Sequence, residues 1–215
     1  MKKIILLAVL LSVVEATFSQ EEKSQYIRKG LIRSMGTISP GILLKENSST
    51  ISLYGTLEGY VSDNISIRGD SYYDILSAGN KTDRPFQFNH STFSGASYHF
   101  KTKNHFDPYF SFAPGISITK AFKDPCPPNI YCTNEITTFY KSTANPLLSF
   151  SLGFNFYFQR WFHLFGEARY ISGKYLSDRP TPLSLNELKF AFGLGLNINA
   201  RKRSEERRVG KECRL

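Results

Sequence analysis

The chain has 215 residues, of which 41% are hydrophobic and 14% aromatic, and a formal net charge of +9. This length suits a single domain. The excess charge lies mainly toward the two ends, and residues 20–200 carry only +4, spread singly through predicted turns and loops. Because a nucleic-acid-binding protein clusters its basic side chains on one face, this pattern argues against nucleic acid as a partner.

The first nineteen residues have the layout of a secretory signal peptide. Lys2 and Lys3 precede an apolar run over residues 4–14, and Thr17–Ser19 lead to Gln20. The apolar run is too short for a transmembrane helix, and no other stretch approaches the roughly 18 consecutive apolar residues that such a helix needs. We therefore expect residues 1–19 to be a signal peptide, residues 20–29 a short polar lead, and any membrane insertion to use strands.

Apolar and polar side chains alternate in the next part of the chain, which predicts β-strands because successive strand side chains point to opposite sides. The first three predicted strands are Gly30–Leu44, Ser49–Val61 and Ile65–Tyr73. Pro40 cannot donate a ladder hydrogen bond and weakens the first of them. Placing Val61 opposite Ile65 keeps the apolar faces of strands two and three together, and the same register sets Glu58 opposite Arg68. We expect these two side chains to form an ion pair.

The second half of the chain continues the pattern. Its predicted strands are Thr92–Phe100, Pro108–Ile118, the hairpin Asn145–Tyr170 with a tight turn at Gln159–Trp161, and Glu187–Ile198. Between them we predict three long connections, Asp74–His90, Lys120–Ala144 and Ser172–Leu185. The turns after strands two, four and six are short. This rhythm of short and long connections is typical of outer-membrane barrels, whose short turns lie in the periplasm.

The two faces of the predicted strands differ in a way that indicates a membrane. The sixth strand alternates over about eleven residues, close to what a tilted strand needs to cross a bilayer. Its apolar face is large and aromatic, whereas its polar face is mainly Ser, Gly and Asn, as expected of a narrow lumen. We expect Phe150, Phe154, Phe190, Phe192 and Leu194 to face lipid, and Ser151, Asn155, Lys189 and Glu58 to face inward.

These features predict an all-β protein, a closed eight-stranded antiparallel transmembrane β-barrel with up-and-down order, over residues 30–198. The Ser49–Tyr73 hairpin, the mixture of glycine and aromatic residues and the count of eight strands resemble the small outer-membrane β-barrel family typified by outer-membrane protein X and the transmembrane domain of outer-membrane protein A. The resemblance implies the outer membrane of a Gram-negative bacterium, contact with lipid and lipopolysaccharide, and insertion by the barrel-assembly machinery. Family members commonly end in an aromatic residue, whereas Ile198 and Asn199 precede a charged tail here.

Two further features of the sequence are its charged tail and a pair of cysteines. Residues 199–215 form the tail, which from residue 203 looks like an in-frame translation of a sequencing adaptor. We therefore assign no function to Cys213, which lies within it. Cys126 and Cys132 are separated by five residues that include two prolines. Because a secreted chain enters an oxidising compartment, we favour a disulfide between them over two free thiols.

The predicted lumen should hold a polar network. An unpaired charge in a narrow interior is costly, so we expect opposite charges to pair there. The members of this network are Glu58, Arg68, Asp70, Glu167, Arg169 and Lys189. No cofactor or metal motif is present in the sequence, and we expect a non-enzymatic protein with a structural role or with surface contacts through its long loops. The alternatives are a small-solute porin, an outer-membrane enzyme with His163 and Glu167 or His99 as general base, and a soluble lipocalin-like barrel.

Overall fold

A computed structural model describes residues 29–46, 48–78, 85–100, 102, 105–123, 139–159, 161–177 and 183–199. The predicted signal peptide, the cysteines at positions 126 and 132, and the tail beyond residue 199 lie outside these ranges. Within them, no helix is long and apolar enough to cross a membrane.

The described residues form eight antiparallel strands. In chain order the strands are β1 (Leu31–Leu43), β2 (Ser48–Tyr60), β3 (Ile65–Ala78), β4 (Phe86–His99), β5 (Phe106–Ala121), β6 (Thr143–Tyr157), β7 (Phe162–Gly173) and β8 (Glu187–Asn199). Each strand pairs with its neighbours in the sequence, and β1 also pairs with β8, so the sheet closes on itself. The predicted up-and-down eight-stranded barrel is confirmed.

The predicted registers of the two central hairpins are also confirmed. Glu58 lies opposite Arg68 in the β2–β3 ladder. Phe156 lies opposite Leu164 in the β6–β7 ladder, which is the register that a tight turn at Gln159–Trp161 requires. In both hairpins one shared apolar face is enough to fix the pairing, because a slip by one residue would turn every apolar side chain to the wrong side.

The predicted long connection Asp74–His90 is wrong, since β3 continues to Ala78 and β4 already begins at Phe86. The residues that made this stretch read as a loop are polar but buried. Asp74 and Asn89 are each 9% exposed, and Ser91, which directly follows this stretch, is 7% exposed. A strand whose inner face lines a polar interior lacks the apolar signal that marks a strand in a dry core.

The two ends of the barrel differ in their connections. We call one end the loop rim; it carries residues 44–47, 79–85, 122–142 and 174–186. The opposite end, the turn rim, carries the short connections 61–64, 100–105 and 158–161. The start of β1 and the end of β8 also lie there. Two of the loop-rim connections are much longer than any at the turn rim.

The orientation of the side chains follows the sequence prediction. Phe192 is 64% exposed on the outer wall, whereas Lys189 is 3% exposed and Glu58 is wholly buried. The remaining predicted outward residues, Phe150, Phe154, Phe190 and Leu194, are also exposed, and Ser151 and Asn155 are buried. A lipocalin-like barrel would bury its aromatic face, so that alternative is wrong. The outer wall is instead mainly apolar, with large exposed hydrophobic side chains on every strand, as a transmembrane barrel requires.

Apolar side chains fill the loop-rim end of the interior. We call this group the mouth plug, and its members are Leu43, Phe86, Ala121, Leu147, Ile171, Tyr175, Leu183 and Leu185. The last three belong to the described parts of the β7–β8 connection, 174–177 and 183–186, and pack against the barrel end. Its backbone is held by hydrogen bonds from Tyr175 N to Leu183 O and from Leu185 N to Gly173 O, each 3.0 Å long. The hydroxyl of Tyr175 donates to the carbonyl of Lys141 at 3.0 Å.

Two glycines of the barrel wall test how closely neighbouring residues approach the backbone. A Cβ added at Gly95 would lie 2.2 Å from the carbonyl oxygen of Phe112 and 2.5 Å from Cα of Ala113, whereas one added at Gly69 would meet nothing within 4 Å. Because backbone atoms cannot move aside, we expect Gly95→Ala to cost about 1–3 kcal/mol or more of folding free energy. Gly69→Ala should leave stability nearly unchanged. Urea unfolding in detergent measures both, and equal losses would contradict the close approach.

Candidate functional site

Charged side chains inside the barrel pair in three groups along its axis. We call the first the rim cluster, formed by Arg33, Glu58, His99 and Asp107 near the turn rim. The second, the central cluster, consists of Arg68, Asp70, Glu167 and Arg169. The third is the pair Glu187 and Lys189, nearer the loop rim. The alternation of each strand brings these side chains inward, and closure of the sheet brings them together.

The rim cluster places two carboxylates between two basic groups. Arg33 binds Glu58 through Nη2, and its Nη1 lies 3.0 Å from Oδ2 of Asp107. His99 reaches the same two carboxylates, with Nδ1 2.9 Å from Asp107 Oδ1 and Nε2 3.0 Å from Glu58 Oε1. All four side chains are wholly buried. The cluster is therefore neutral when the imidazole is protonated and donates from both ring nitrogens.

Neutral side chains complete the shell around Asp107. The hydroxyls of Tyr60 and Tyr157 donate to its Oδ2 at 3.0 and 3.1 Å, and Asn155 Nδ2 donates to the same oxygen at 3.0 Å. Arg33 Nη1 also donates to the hydroxyl of Tyr157 at 2.7 Å. Charge-assisted hydrogen bonds are the strong ones in proteins, so this cluster ties β1, β2, β4, β5 and β6 to one another.

The central cluster crosses the lumen. Arg68 Nη2 lies 2.8 Å from Asp70 Oδ1 and 2.8 Å from Glu167 Oε2. Arg169 Nη2 completes the ring, at 2.7 Å from Asp70 Oδ2 and 2.9 Å from Glu167 Oε1. Its members come from β3 and β7, which stand four strands apart in an eight-stranded barrel and so lie on opposite walls. Side chains that meet across the full width of the barrel fill it at this level.

The third group is smaller. Nζ of Lys189 lies 2.8 Å from Glu187 Oε1 and donates to the hydroxyl of Ser52 at 2.9 Å. Glu187 also accepts a hydrogen bond from Thr50. The structure thus places all six residues of the sequence-based network in the interior: Glu58, Arg68, Asp70, Glu167, Arg169 and Lys189.

The expected ion pair between Glu58 and Arg68 is wrong, although their register is right. Glu58 is flanked by two arginines at one level, since Arg33 of β1 lies opposite it on one side and Arg68 of β3 on the other. The carboxylate takes Arg33, and Arg68 turns to Asp70 and Glu167. A single hairpin could not reveal this choice, because the competing partners come from β1 and from the far wall.

Two members of the rim cluster were not found from the sequence. Arg33 lies within the first predicted strand and shares the parity of its inward residues, so a signal for it existed. Asp107 directly precedes the fifth predicted strand, which starts at Pro108, whereas β5 begins at Phe106 and points Asp107 inward.

His99 and His163, the two histidines considered as general bases, are both wholly buried. Ser66 Oγ lies 2.9 Å from His99 Nε2, and Asp107 faces the other ring nitrogen, which is the hydrogen-bond order of a serine hydrolase. However, the same hydroxyl binds Glu58, and Ser66 is wholly buried, so no substrate carbonyl can approach it. His163 lies against the rings of Tyr157 and Phe165, with centroids 5.5 and 6.5 Å away.

The fold and the filled interior together define a small transmembrane β-barrel. No family model matches the chain, and no curated protein does. Among solved structures, it is similar to the outer membrane protein OprG of Pseudomonas aeruginosa, with 12% identity over 83% of this chain and 100% of that one and a TM-score of 0.61.

Two further barrels are similar to the chain. Neisserial surface protein A shares 12% identity over 79% of this chain and 96% of that one, with a TM-score of 0.51. The N-terminal β-barrel domain of Pseudomonas aeruginosa OprF shares 14% identity over 80% and 99%, with a TM-score of 0.50. At such identities the likeness concerns the fold, and the fold is that of small outer-membrane β-barrels.

Proposed function

We propose that the protein resides in the outer membrane of a Gram-negative bacterium and acts there as a non-enzymatic structural or surface-contact protein. Its apolar outer wall contacts lipid and lipopolysaccharide, and the barrel-assembly machinery inserts it. The loop rim faces the exterior, where connections 79–85, 122–142 and 174–186 bind a surface ligand. One relative in fold, Neisserial surface protein A, is by name a surface protein.

The filled interior is the observation that carries this proposal. The central cluster spans the lumen from β3 to β7, and the mouth plug covers the loop-rim end. A solute crossing the barrel would have to break buried ion pairs and then displace packed apolar side chains. Interior polar groups of this kind stabilise a barrel without providing a path through it. Contacts are therefore left to the outer wall and the loops.

Conductance measurement in planar lipid bilayers tests the proposal. The protein is first shown to be folded by heat-modifiable mobility on gels, because folded outer-membrane barrels resist SDS until they are boiled. We expect the folded protein to give no steady single-channel steps. The polar lining of the turn-rim half favours a small-solute porin as the second candidate, and steady, large conductance steps would establish it instead.

A lipid-hydrolysis assay addresses the remaining alternative. We expect no release of acyl chains from added phospholipid, because the Ser66 hydroxyl is buried. Release that disappears on replacing His99 or His163 would contradict the non-enzymatic proposal.

A further inference from the structure

We propose that the outer wall of β3, β4 and β5 at the loop rim binds the phosphorylated sugar headgroup of an outer-leaflet glycolipid. The site, which we call the aromatic patch, consists of Tyr73, Phe88, His90 and Lys120 on these strands, together with Phe122 and Phe139 of the connection 122–142. None of these residues belongs to the charged interior, and the inference rests on the proposed membrane location.

The core of the aromatic patch is a stack of rings across β3 and β4. The ring of His90 stacks on Tyr73 with centroids 4.2 Å apart and planes inclined by 10°. It also stacks on Phe88, at 5.0 Å and 12°. Tyr73 is 61% exposed, so its ring is open to the surroundings of the barrel. Flat, rigid ring faces of this kind make many dispersion contacts with the C–H face of a sugar ring.

The hydrogen bond of His90 fixes which nitrogen carries the proton. The backbone N–H of Asp74 donates to His90 Nδ1 at 3.1 Å, so the ring proton of the neutral imidazole sits on Nε2. Among the described residues, Nε2 has no hydrogen-bond acceptor. A donor on a wall that faces lipid is costly unless an acceptor meets it. A headgroup oxygen at the membrane surface supplies that acceptor.

Lys120 adds a positive charge next to this stack. It lies opposite Phe88 in the β4–β5 ladder and ends the outward apolar row that contains Ile116 and Ile118. Its Nζ lies 4.4 Å from the centroid of the Phe139 ring, which in turn packs on Phe122 at 5.1 Å. No carboxylate of the described residues forms an ion pair with it.

The cation, the N–H donor and the aromatic ring together favour one class of ligand. A cation held on an aromatic face at the end of an apolar wall sits where lipid headgroups begin, and such positions attract anionic lipid groups. The Lys120 ammonium and the His90 Nε2–H are both donors suited to phosphate oxygens, and the exposed ring of Tyr73 suits a sugar. A phosphorylated glycolipid offers both parts in one headgroup, whereas a phospholipid offers the phosphate alone.

Native mass spectrometry of the folded barrel tests the site. The probe is a lipid whose glucosamine disaccharide headgroup carries phosphate, titrated into detergent micelles of the purified protein. We expect Lys120→Gln to weaken retention of the probe roughly tenfold or more, because it removes a charge-assisted contact. His90→Phe should also weaken it, since it keeps the ring stack and removes the donor. Lys174→Gln, at an exposed lysine of the same rim, is the matched control and should have no effect.

Three outcomes would overturn the inference. They are equal retention by Lys120→Gln and Lys174→Gln, equal retention of the dephosphorylated probe, and displacement by an equal amount of phosphatidylglycerol. In each case a barrel that still shows heat-modifiable mobility leaves the proposed function standing. Loss of that mobility in the unsubstituted protein, together with solubility without detergent, would refute the proposed function itself.

Discussion

Replacing Arg33 with methionine is expected to lower the free energy of unfolding by about 3–5 kcal/mol, because it leaves buried carboxylates without their guanidinium. Glu58 and Asp107 both lose a direct partner, and His99 alone then faces two negative charges. The measurement is a urea titration in detergent micelles that follows the fluorescence of the single tryptophan, Trp161.

The double variant shows whether charge balance is the cause. In Arg33→Met combined with Glu58→Gln, one carboxylate and one imidazole remain, so the cluster can be neutral again. We expect the double variant to be more stable than Arg33→Met alone, which means that the two substitutions are strongly coupled. Lys45→Met, the same kind of change at an exposed lysine, should stay within about 0.5 kcal/mol of the parent. Additive losses would refute the described pairing.

The second large effect concerns the outer wall. Leu194 is 57% exposed near the middle of β8, so arginine at this position would meet the centre of the bilayer. We expect Leu194→Arg to cost about 2–4 kcal/mol in lipid vesicles, the usual cost for a basic residue at the midplane of a barrel. Urea unfolding in vesicles, followed by gel mobility, gives the difference.

The control for this experiment uses another exposed leucine. Leu44 is 51% exposed and lies just beyond the end of β1 at the loop rim, where Leu44→Arg should cost about 1 kcal/mol or less. The inward neighbour Gly195 cannot serve, since a Cβ there would lie 2.2 Å from Cε1 of His163. Equal costs at Leu194 and Leu44 would contradict the assigned membrane depth.

The outer wall could be predicted from the sequence better than the interior could. A row such as Phe150, Leu152 and Phe154 needs only the alternation of one strand, and two such rows fix the register of a hairpin. The interior depends on which strands face each other after closure, and no local pattern contains that information. For this reason the register of Glu58 and Arg68 was predicted correctly while their ion-pair partners were not.

The ends of β3 and β4 were predicted wrongly for a related reason. Asp74 and Asn89 resemble loop residues in the sequence because they are polar, although both are buried in strands. No residue pattern in the sequence shows where a strand leaves the membrane. The aromatic patch shows the same limit. Tyr73 was the last residue of a predicted strand, and Phe88 and His90 fell in a predicted connection, so their stacking could not be foreseen.

Closure of the sheet between β1 and β8 constrains how the chain can fold. The two strands are the most distant in the sequence, and their ladder, from Leu31 opposite Asn199 to Leu43 opposite Glu187, forms only after the final strand is made. Until then β1 presents an unpaired edge, and such edges readily join other chains. Pairings between remote segments also form slowly. The chain therefore needs protection from aggregation after synthesis as well, until β8 pairs with β1 and no strand edge is left free.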